Sequence, residues 1–408
     1  MVYDKTTLRD VSLDGKKVVV RLDLNVPVKD GKITDNNRVV QTLPTVRYLL
    51  EKGCKLVVLS HFSRIKDISE VTSGKKSLKV VAEEFQKLLP DNKVAFVSDI
   101  DFNNVASFVN SNTDVDLFVL ENTRYYDVDA HNSLVKWESK NYPDLSKFWA
   151  SLGEVFINDA FGTSHRAHAS NVGIAGHLPS AIGLLVEKEL DMLGKAVSST
   201  DSPKVLILGG SKVSDKLKLI NAIAPKVDKL LIGGGMSYTF LKAQGKEVGK
   251  SIVETEMIEE CKDLLQRYAG KLVLPVDHVV APEFKDIAGS VVDLEEKNWG
   301  DNMALDIGPK TVELYRGVLE SAKVVIWNGP MGVFEFDNFA EGTKSVALKL
   351  ADITKKGAYT VIGGGDSAAA ADKFKLADSM SFISTGGGAS LAFFEGSAMP
   401  GIEVIPDK

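Results

Sequence analysis

Four times in the second half of the chain, a short apolar run ends in glycines and then enters a helix-forming stretch. Val205-Leu206-Ile207-Leu208 leads to Gly209-Gly210-Ser211-Lys212, and Leu230-Leu231-Ile232 leads to Gly233-Gly234-Gly235-Met236. Tyr359-Thr360-Val361-Ile362 leads to Gly363-Gly364-Gly365-Asp366-Ser367 and an alanine run, and Phe382-Ile383-Ser384-Thr385 leads to Gly386-Gly387-Gly388-Ala389. β-Branched and aromatic residues suit buried strands, and alanine suits helices. Uncovered backbone N–H groups at a glycine turn, with about half a positive charge from the helix N-terminus, form an anion site, most often for phosphate. Asp366 admits two readings at this point: a carboxylate that shares Mg²⁺ with phosphates, or an ordinary helix N-cap. Strand C-termini share one edge of a parallel sheet, so four such units describe a phosphate-binding crevice.

The first half alternates strands and helices as well. Lys17–Leu22, Lys55–Leu59, Val94–Val97, Asp116–Leu120 and Val155–Ile157 read as buried strands, which predicts a parallel α/β sheet. Its strand ends carry Asp23, Asn25, His61, Arg64, Arg124 and Arg166 rather than glycine clusters, and Arg38 opens the helix after the first strand. Guanidinium forks match carboxylates and phosphates. Singly, each arginine is an ordinary surface charge; together on one sheet edge they point to a small polyanion. The strand rhythm stops near Leu178-Pro179-Ser180, and Ala181–Ser199 reads as a long amphipathic helix joining two domains. A polar stretch runs from about Ala281 to Asn302.

The chain has 408 residues with a formal net charge of −6. That length accommodates two or three domains, and no broad basic field points to nucleic acid. Cys54 and Cys261 form no CxxC pair, which suits a reducing compartment and argues against a zinc site. Met1–Asp10 lacks signal-peptide features, and no apolar run approaches the roughly 20 residues of a membrane helix, so the cytoplasm is expected. Gly249-Lys250-Ser251 lacks the first glycine and the preceding strand of a P-loop. Gly363-x-Gly365-x-x-Ala368 lacks the acidic partner about 20 residues on that a dinucleotide site requires. His165 and His168 have no third metal ligand nearby in sequence.

Six segments, in order, resemble the phosphoglycerate kinase family, and the resemblance runs from about Lys16 to Gly396. They are Asp23–Pro27, Glu121–Arg124, Asn158–Thr163, Gly209–Lys216, Trp327–Pro330 and Gly363–Ser367. Trp149–Gly153 is similar to the bacterial type. The resemblance implies two Rossmann-like α/β domains, each a parallel β-sheet flanked by helices, joined by a long interdomain helix. The expected division is a 3-phosphoglycerate-binding domain over 1–180, a hinge helix over 181–200 and a Mg-nucleotide-binding domain over 201–390. Residues 391–408 are expected to pack back on the first domain.

The resemblance further implies that Asp23, Leu24, Asn25, Arg38, His61, Phe62, Ser63, Arg64, Arg124 and Arg166 hold the glycerate ligand. The nucleotide is assigned to Gly210, Lys212, Lys216, Gly234, Asn328, Pro330, Glu335, Gly363, Gly364, Gly365, Asp366 and Ser367, with Asp366 as the Mg²⁺ contact. Arg38, Lys212, Lys216, Gly364 and Gly387 are the expected catalytic groups. The expected ligands are 3-phosphoglycerate or 1,3-bisphosphoglycerate and ADP or ATP, acting on a cytoplasmic monomer. Two departures stand out. The family usually reads Ser-His-Leu-Gly-Arg-Pro where this chain has Ser60-His61-Phe62-Ser63-Arg64-Ile65, and glycine is common at the position of Ala304.

Overall fold

The computed structural model describes residues 3–296 and 298–408. Met1, Val2 and Lys297, within the N-terminal and polar stretches read above, lie outside the described residues. The chain divides into two units: residues up to Asp191 together with Ala398–Lys408, and Met192–Ser397.

The first unit is built on a six-stranded parallel sheet. Its order is Val94–Val97, Leu117–Leu120, Lys55–Leu59, Lys17–Arg21, Val155–Asn158, Ser180–Ile182. The central strands are almost wholly buried, which is why they read as continuous apolar runs. Chain order reverses between Lys17–Arg21 and Val155–Asn158, so the ligand crevice of such a sheet falls at their C-terminal ends. Helices Asn37–Glu51 and Lys79–Leu88 pack on one face through Val39, Val46, Leu49 and Phe85, while Trp149, Phe148 and Phe118 fill the other.

The second unit carries another six-stranded parallel sheet, ordered Leu272–Val273, Lys229–Ile232, Lys204–Leu208, Val324–Asn328, Tyr359–Ile362, Phe382–Ile383. In chain order this is the 3-2-1-4-5-6 arrangement of the dinucleotide-binding folds, with its reversal between Lys204–Leu208 and Val324–Asn328. A three-stranded antiparallel sheet of Ser290–Asp293, Asp277–Ala281 and Met303–Ile307 adds to this unit.

Three boundaries differ from the sequence reading. Ala181 belongs to the strand Ser180–Ile182, which pairs with Phe156–Asn158, so the connecting helix is Leu184–Ser198. The polar stretch after Ala281 contains a strand, Ser290–Asp293, held by antiparallel pairing to Asp277–Val280. At the other end, the helix Gly388–Glu395 buries Ala392, Phe393 and Phe394 within the second unit and stops at Gly396, in the left-handed conformation. The return to the first unit therefore begins at Ala398. There Gly401 N–H donates to Ser164 O at 2.9 Å and Thr6 N–H to Pro406 O at 2.9 Å.

Candidate functional site

The first unit's sheet edge gathers its polar strand ends around a buried arginine. Arg21 is fully buried. Its Nε donates to Ser170 Oγ at 3.0 Å, its Nη1 to Leu22 O at 2.5 Å, and its Nη2 lies 3.2 Å from His61 Nδ1. Ser170 is fixed in turn by the buried Glu138, which accepts from its N–H at 2.9 Å and its hydroxyl at 2.7 Å. Burial pushes the His61 imidazole well below its usual value, with Asp23 opposing. A guanidinium only donates, so Nδ1 of this neutral ring accepts from Arg21 and the proton resides on Nε2. Burial opposes ionisation of Asp23, yet His61, Arg38 and Arg21 together hold its carboxyl below the usual range. Asp23 Oδ1 lies 3.1 Å from Arg38 Nη1.

The His61–Arg64 loop is pinned by side chains from other strand ends. Asn122 Oδ1 accepts the N–H groups of Phe62 and Arg124, both at 3.0 Å, while its Nδ2 donates to Phe62 O at 2.6 Å and Lys76 O at 3.0 Å. Ser63 N–H donates to Asn25 Oδ1 at 2.9 Å, and Arg124 Nη1 donates to Ser63 O at 2.7 Å. Ser63 takes φ +60°, the left-handed conformation that favours the glycine common in the family. Ile65 replaces the usual proline and fills a small apolar cluster with Tyr125 and Val128. The loop is thus held by its backbone bonds despite both departures.

Arg64, Arg124 and Arg166 line one cavity of about 370 Å³, with His168, Lys136 and Asp127 on its wall. Burial lowers the Arg124 guanidinium, Arg21 and Arg166 lower it further, and Glu138 and Asp127 oppose. Asp23, Arg38 and His61 do not line this cavity; Asn25, Phe62 and Ser63 border a second, of about 1080 Å³. The Leu24 side chain is buried in the core, and its N–H is donated to Ser60 Oγ at 2.9 Å.

In the second unit the glycine turns interlock at the chain-order reversal. A Cβ at Gly209 would collide with the Pro330 carbonyl, and one at Gly234 would fall 2.7 Å from Gly210 N. Gly210 N–H donates to Pro330 O at 3.3 Å and Gly234 N–H to Met331 O at 2.9 Å. Asn328, buried, accepts a short hydrogen bond from Lys216 Nζ and donates to Gly363 O at 2.7 Å. Ser367 Oγ accepts Gly329 N–H at 2.6 Å. Lys216, Asn328, Gly329, Gly363 and Ser367 are therefore one bonded set. Burial lowers the Lys216 amine, opposed by Asp215, Asp366 and Glu395.

Gly364, at φ +108°, is the N-cap of the helix Gly365–Lys373 and makes no side-chain cap bond. Asp366 lies in the first helical turn and is exposed, so the N-cap reading does not hold. Among the described residues its carboxylate has no hydrogen bond or ion pair within 4 Å in this unit. Gly387, at φ +52°, is the N-cap of Gly388–Glu395. Lys212 and Glu335 are exposed. Ala304 N–H donates to Ser251 Oγ at 2.9 Å, and its methyl packs with Tyr238, Leu241 and Trp299.

Several anchoring residues went unsingled in the sequence. Asn122 lies two residues past the strand Leu117–Leu120, within the Glu121–Arg124 segment that carries the family resemblance. Glu254 accepts from Ser214 N–H at 3.1 Å and Ser214 Oγ at 2.5 Å, steadying the Gly209–Lys216 loop from 40 residues away, with no local signal.

The family model of phosphoglycerate kinase matches residues 8–397. The chain belongs to the phosphoglycerate kinase family. It is 51% identical to a phosphoglycerate kinase of Fusobacterium nucleatum over 408 residues, covering 99% of this chain and 100% of that one. A phosphoglycerate kinase of Staphylococcus aureus is 49% identical over 404 residues, with 99% and 100% coverage. Among solved structures, phosphoglycerate kinase from Coxiella burnetii matches with a TM-score of 0.82 and 35% identity, over 98% of both chains. The protein from Pyrococcus horikoshii matches with a TM-score of 0.82 and 32% identity, again over 98% of both. As a phosphoglycerate kinase family member this chain is an enzyme, a phosphotransferase. Among the described residues no helix is long and apolar enough to cross a membrane.

Proposed function

We propose that the enzyme moves a phosphoryl group reversibly between 1,3-bisphosphoglycerate and ADP, giving 3-phosphoglycerate and ATP, with the glycerate ligand on the first unit and the nucleotide on the second. The observation that carries the division is the contrast between the two sheet edges. One presents Arg64, Arg124 and Arg166 around a cavity; the other presents interlocked glycine turns with Lys216 and a free carboxylate at Asp366.

The acceptor is a carboxylate, already nucleophilic at neutral pH, so the protein need not supply a general base. The neutral, buried His61 suits a positioning donor through Nε2–H. The chemistry then depends on alignment and charge stabilisation. Arg38, Lys212 and Lys216 neutralise the oxygens of the moving phosphoryl group, and the amides at Gly364 and Gly387 add aligned dipoles. Holding both substrates in line supplies roughly 7–11 kcal/mol of the barrier. Ligands on separate units require closure, which excludes the water that would hydrolyse an acyl phosphate.

Asp366 fits a Mg²⁺ contact: its carboxylate is exposed beside free glycine amides, and Mg²⁺ is commonly held by one or two carboxylates plus substrate phosphates. Bound with the nucleotide, the ion supplies charge neutralisation at the phosphates. We place the enzyme in the cytoplasm as a monomer.

Calorimetry on two variants tests the division. Arg124→Ala is expected to weaken 3-phosphoglycerate binding about tenfold or more, with Mg-ADP affinity within about twofold of wild type. Asp366→Asn is expected to do the reverse. A variant that loses the other unit's ligand contradicts the assignment.

A further inference from the structure

The helix Leu184–Ser198 starts in the first unit and ends in the second. Each end is held by one buried ionisable side chain from the central part of that unit's own sheet. At the start, Asp159 follows the strand Val155–Asn158 and is fully buried. Its Oδ1 accepts Leu185 N–H at 2.9 Å and Val186 N–H at 3.3 Å, while Thr45 Oγ1 accepts Leu184 N–H at 2.9 Å. A Cβ on Gly183 would strike the Asp159 carboxyl, so the chain enters the helix at the closest approach glycine permits. Among the described residues Asp159 Oδ2 has no hydrogen-bond partner.

At the other end Lys204 opens the strand Lys204–Leu208 and is 2% exposed. Its Nζ donates to Val197 O at 2.8 Å and Ser199 O at 3.2 Å. Its own N–H donates to Asp228 Oδ2 at 2.7 Å, which anchors it on the sheet. The two groups satisfy helix-end amides and carbonyls that would otherwise lack partners. Between them, Tyr359 Oη donates to Met192 O at 2.7 Å and Lys195 Nζ lies 4.3 Å from the Tyr359 ring centroid. The helix is therefore tied to both sheets, each tie lying within its own unit.

We propose that Asp159 and Lys204 are positioning residues for phosphoryl transfer: they fasten the two ends of the connecting helix to the two sheets, so that closure moves each sheet with its end of the helix. Neither touches the proposed ligands. The inference rests on the closure reading. If the fastening loosens, each unit still binds its own ligand but closure no longer delivers the aligned state, and turnover falls without loss of binding.

The test uses Asp159→Asn, which keeps an acceptor oxygen, and Lys204→Met, which keeps the aliphatic stem. Lys204→Gln is a milder second variant should Lys204→Met fold poorly. The measurements are calorimetry with 3-phosphoglycerate alone and Mg-ADP alone, kcat, and small-angle scattering with 3-phosphoglycerate plus a nonhydrolysable Mg-nucleotide. The expected result is separate affinities within about twofold of wild type, a kcat about tenfold lower, and a smaller ligand-induced decrease in radius of gyration. Unchanged kcat and compaction in the variants overturn the positioning role while leaving closure intact. A kcat loss matched by equal loss of separate binding reduces both residues to general stability and also overturns it. Absence of compaction in the wild type overturns the closure reading and this inference together.

Discussion

Arg38 Nη1 lies 3.1 Å from Asp23 Oδ1, so the arginine that opens the helix Asn37–Glu51 is oriented by the carboxylate that ends the preceding strand region. Asp23 is itself balanced by Arg38 and by the buried Arg21. In the proposed mechanism these contacts aim a cation whose work belongs to the transition state. Asp23→Asn keeps the shape and removes the charge. We expect kcat to fall about tenfold with Mg-nucleotide affinity unchanged, measured by steady-state kinetics and calorimetry. A raised nucleotide dissociation constant at full kcat would show that Asp23 does not act through this edge.

Lys216 and Gly363 are joined through Asn328. Asn328→Ala removes the acceptor that holds Lys216 and leaves Gly363 O without this donor. In the proposed division both losses fall on the nucleotide side of the transfer. The expected outcome is a kcat lowered about 10- to 100-fold and weaker Mg-ATP binding, with 3-phosphoglycerate binding preserved. Equal weakening of both ligands would argue for general unfolding of the site instead.

Ser63 occupies a left-handed backbone conformation at φ +60°, while its N–H and C=O carry the bonds to Asn25 and Arg124. Among the described residues its hydroxyl makes no hydrogen bond. Ser63→Gly removes the steric cost of that conformation, about 1 kcal/mol, and partly offsets the gain through a freer unfolded chain. A net stabilisation of about 0.5 kcal/mol is expected, read as a higher urea midpoint, with the KM for 3-phosphoglycerate unchanged. A lowered midpoint would mean that the serine side chain contributes contacts of its own.

The parallel strands were legible because burial on both faces demands unbroken apolar runs, as in Val205–Leu208 and Val18–Val20. The sheet edges were legible because polar residues and glycines follow those runs closely, as Asp23, Asn25 and Gly209–Lys216 do. Ser290–Asp293 was hidden because two of its four residues are exposed and pairing, not an apolar run, makes it a strand. Ser180–Ile182 was hidden by its length and by the helix pattern that follows it. The bonds that aim the site, Asn122 to Phe62, Glu254 to Ser214 and Arg21 to His61, join residues 40 or more positions apart. Nothing local in the sequence encodes such pairs.

Burial raises the Asp159 carboxyl to about 7 from its ordinary 3.8, while Thr45 and the N–H groups of Val186 and Leu185 pull the other way; no charged side chain contributes. The folded state thus holds a proton that the unfolded chain releases at lower pH. Its contribution to stability is fully present below about pH 4 and is lost as pH rises towards 7, then stays constant. Between pH 5 and pH 8 the wild-type urea midpoint should therefore fall more than that of Asp159→Asn. Equal falls in both proteins would show that Asp159 titrates normally.

The most direct test is a coupled assay that follows 1,3-bisphosphoglycerate formed from ATP and 3-phosphoglycerate, run on wild type and Arg38→Ala alongside calorimetry with Mg-ADP. The account predicts turnover in the wild type. In Arg38→Ala it predicts a kcat lower by about 100- to 1000-fold, the cost of one lost transition-state contact, with Mg-ADP affinity within about twofold. An undiminished kcat accompanied only by a raised KM would contradict it, as would a wild-type protein that binds both substrates and does not turn over.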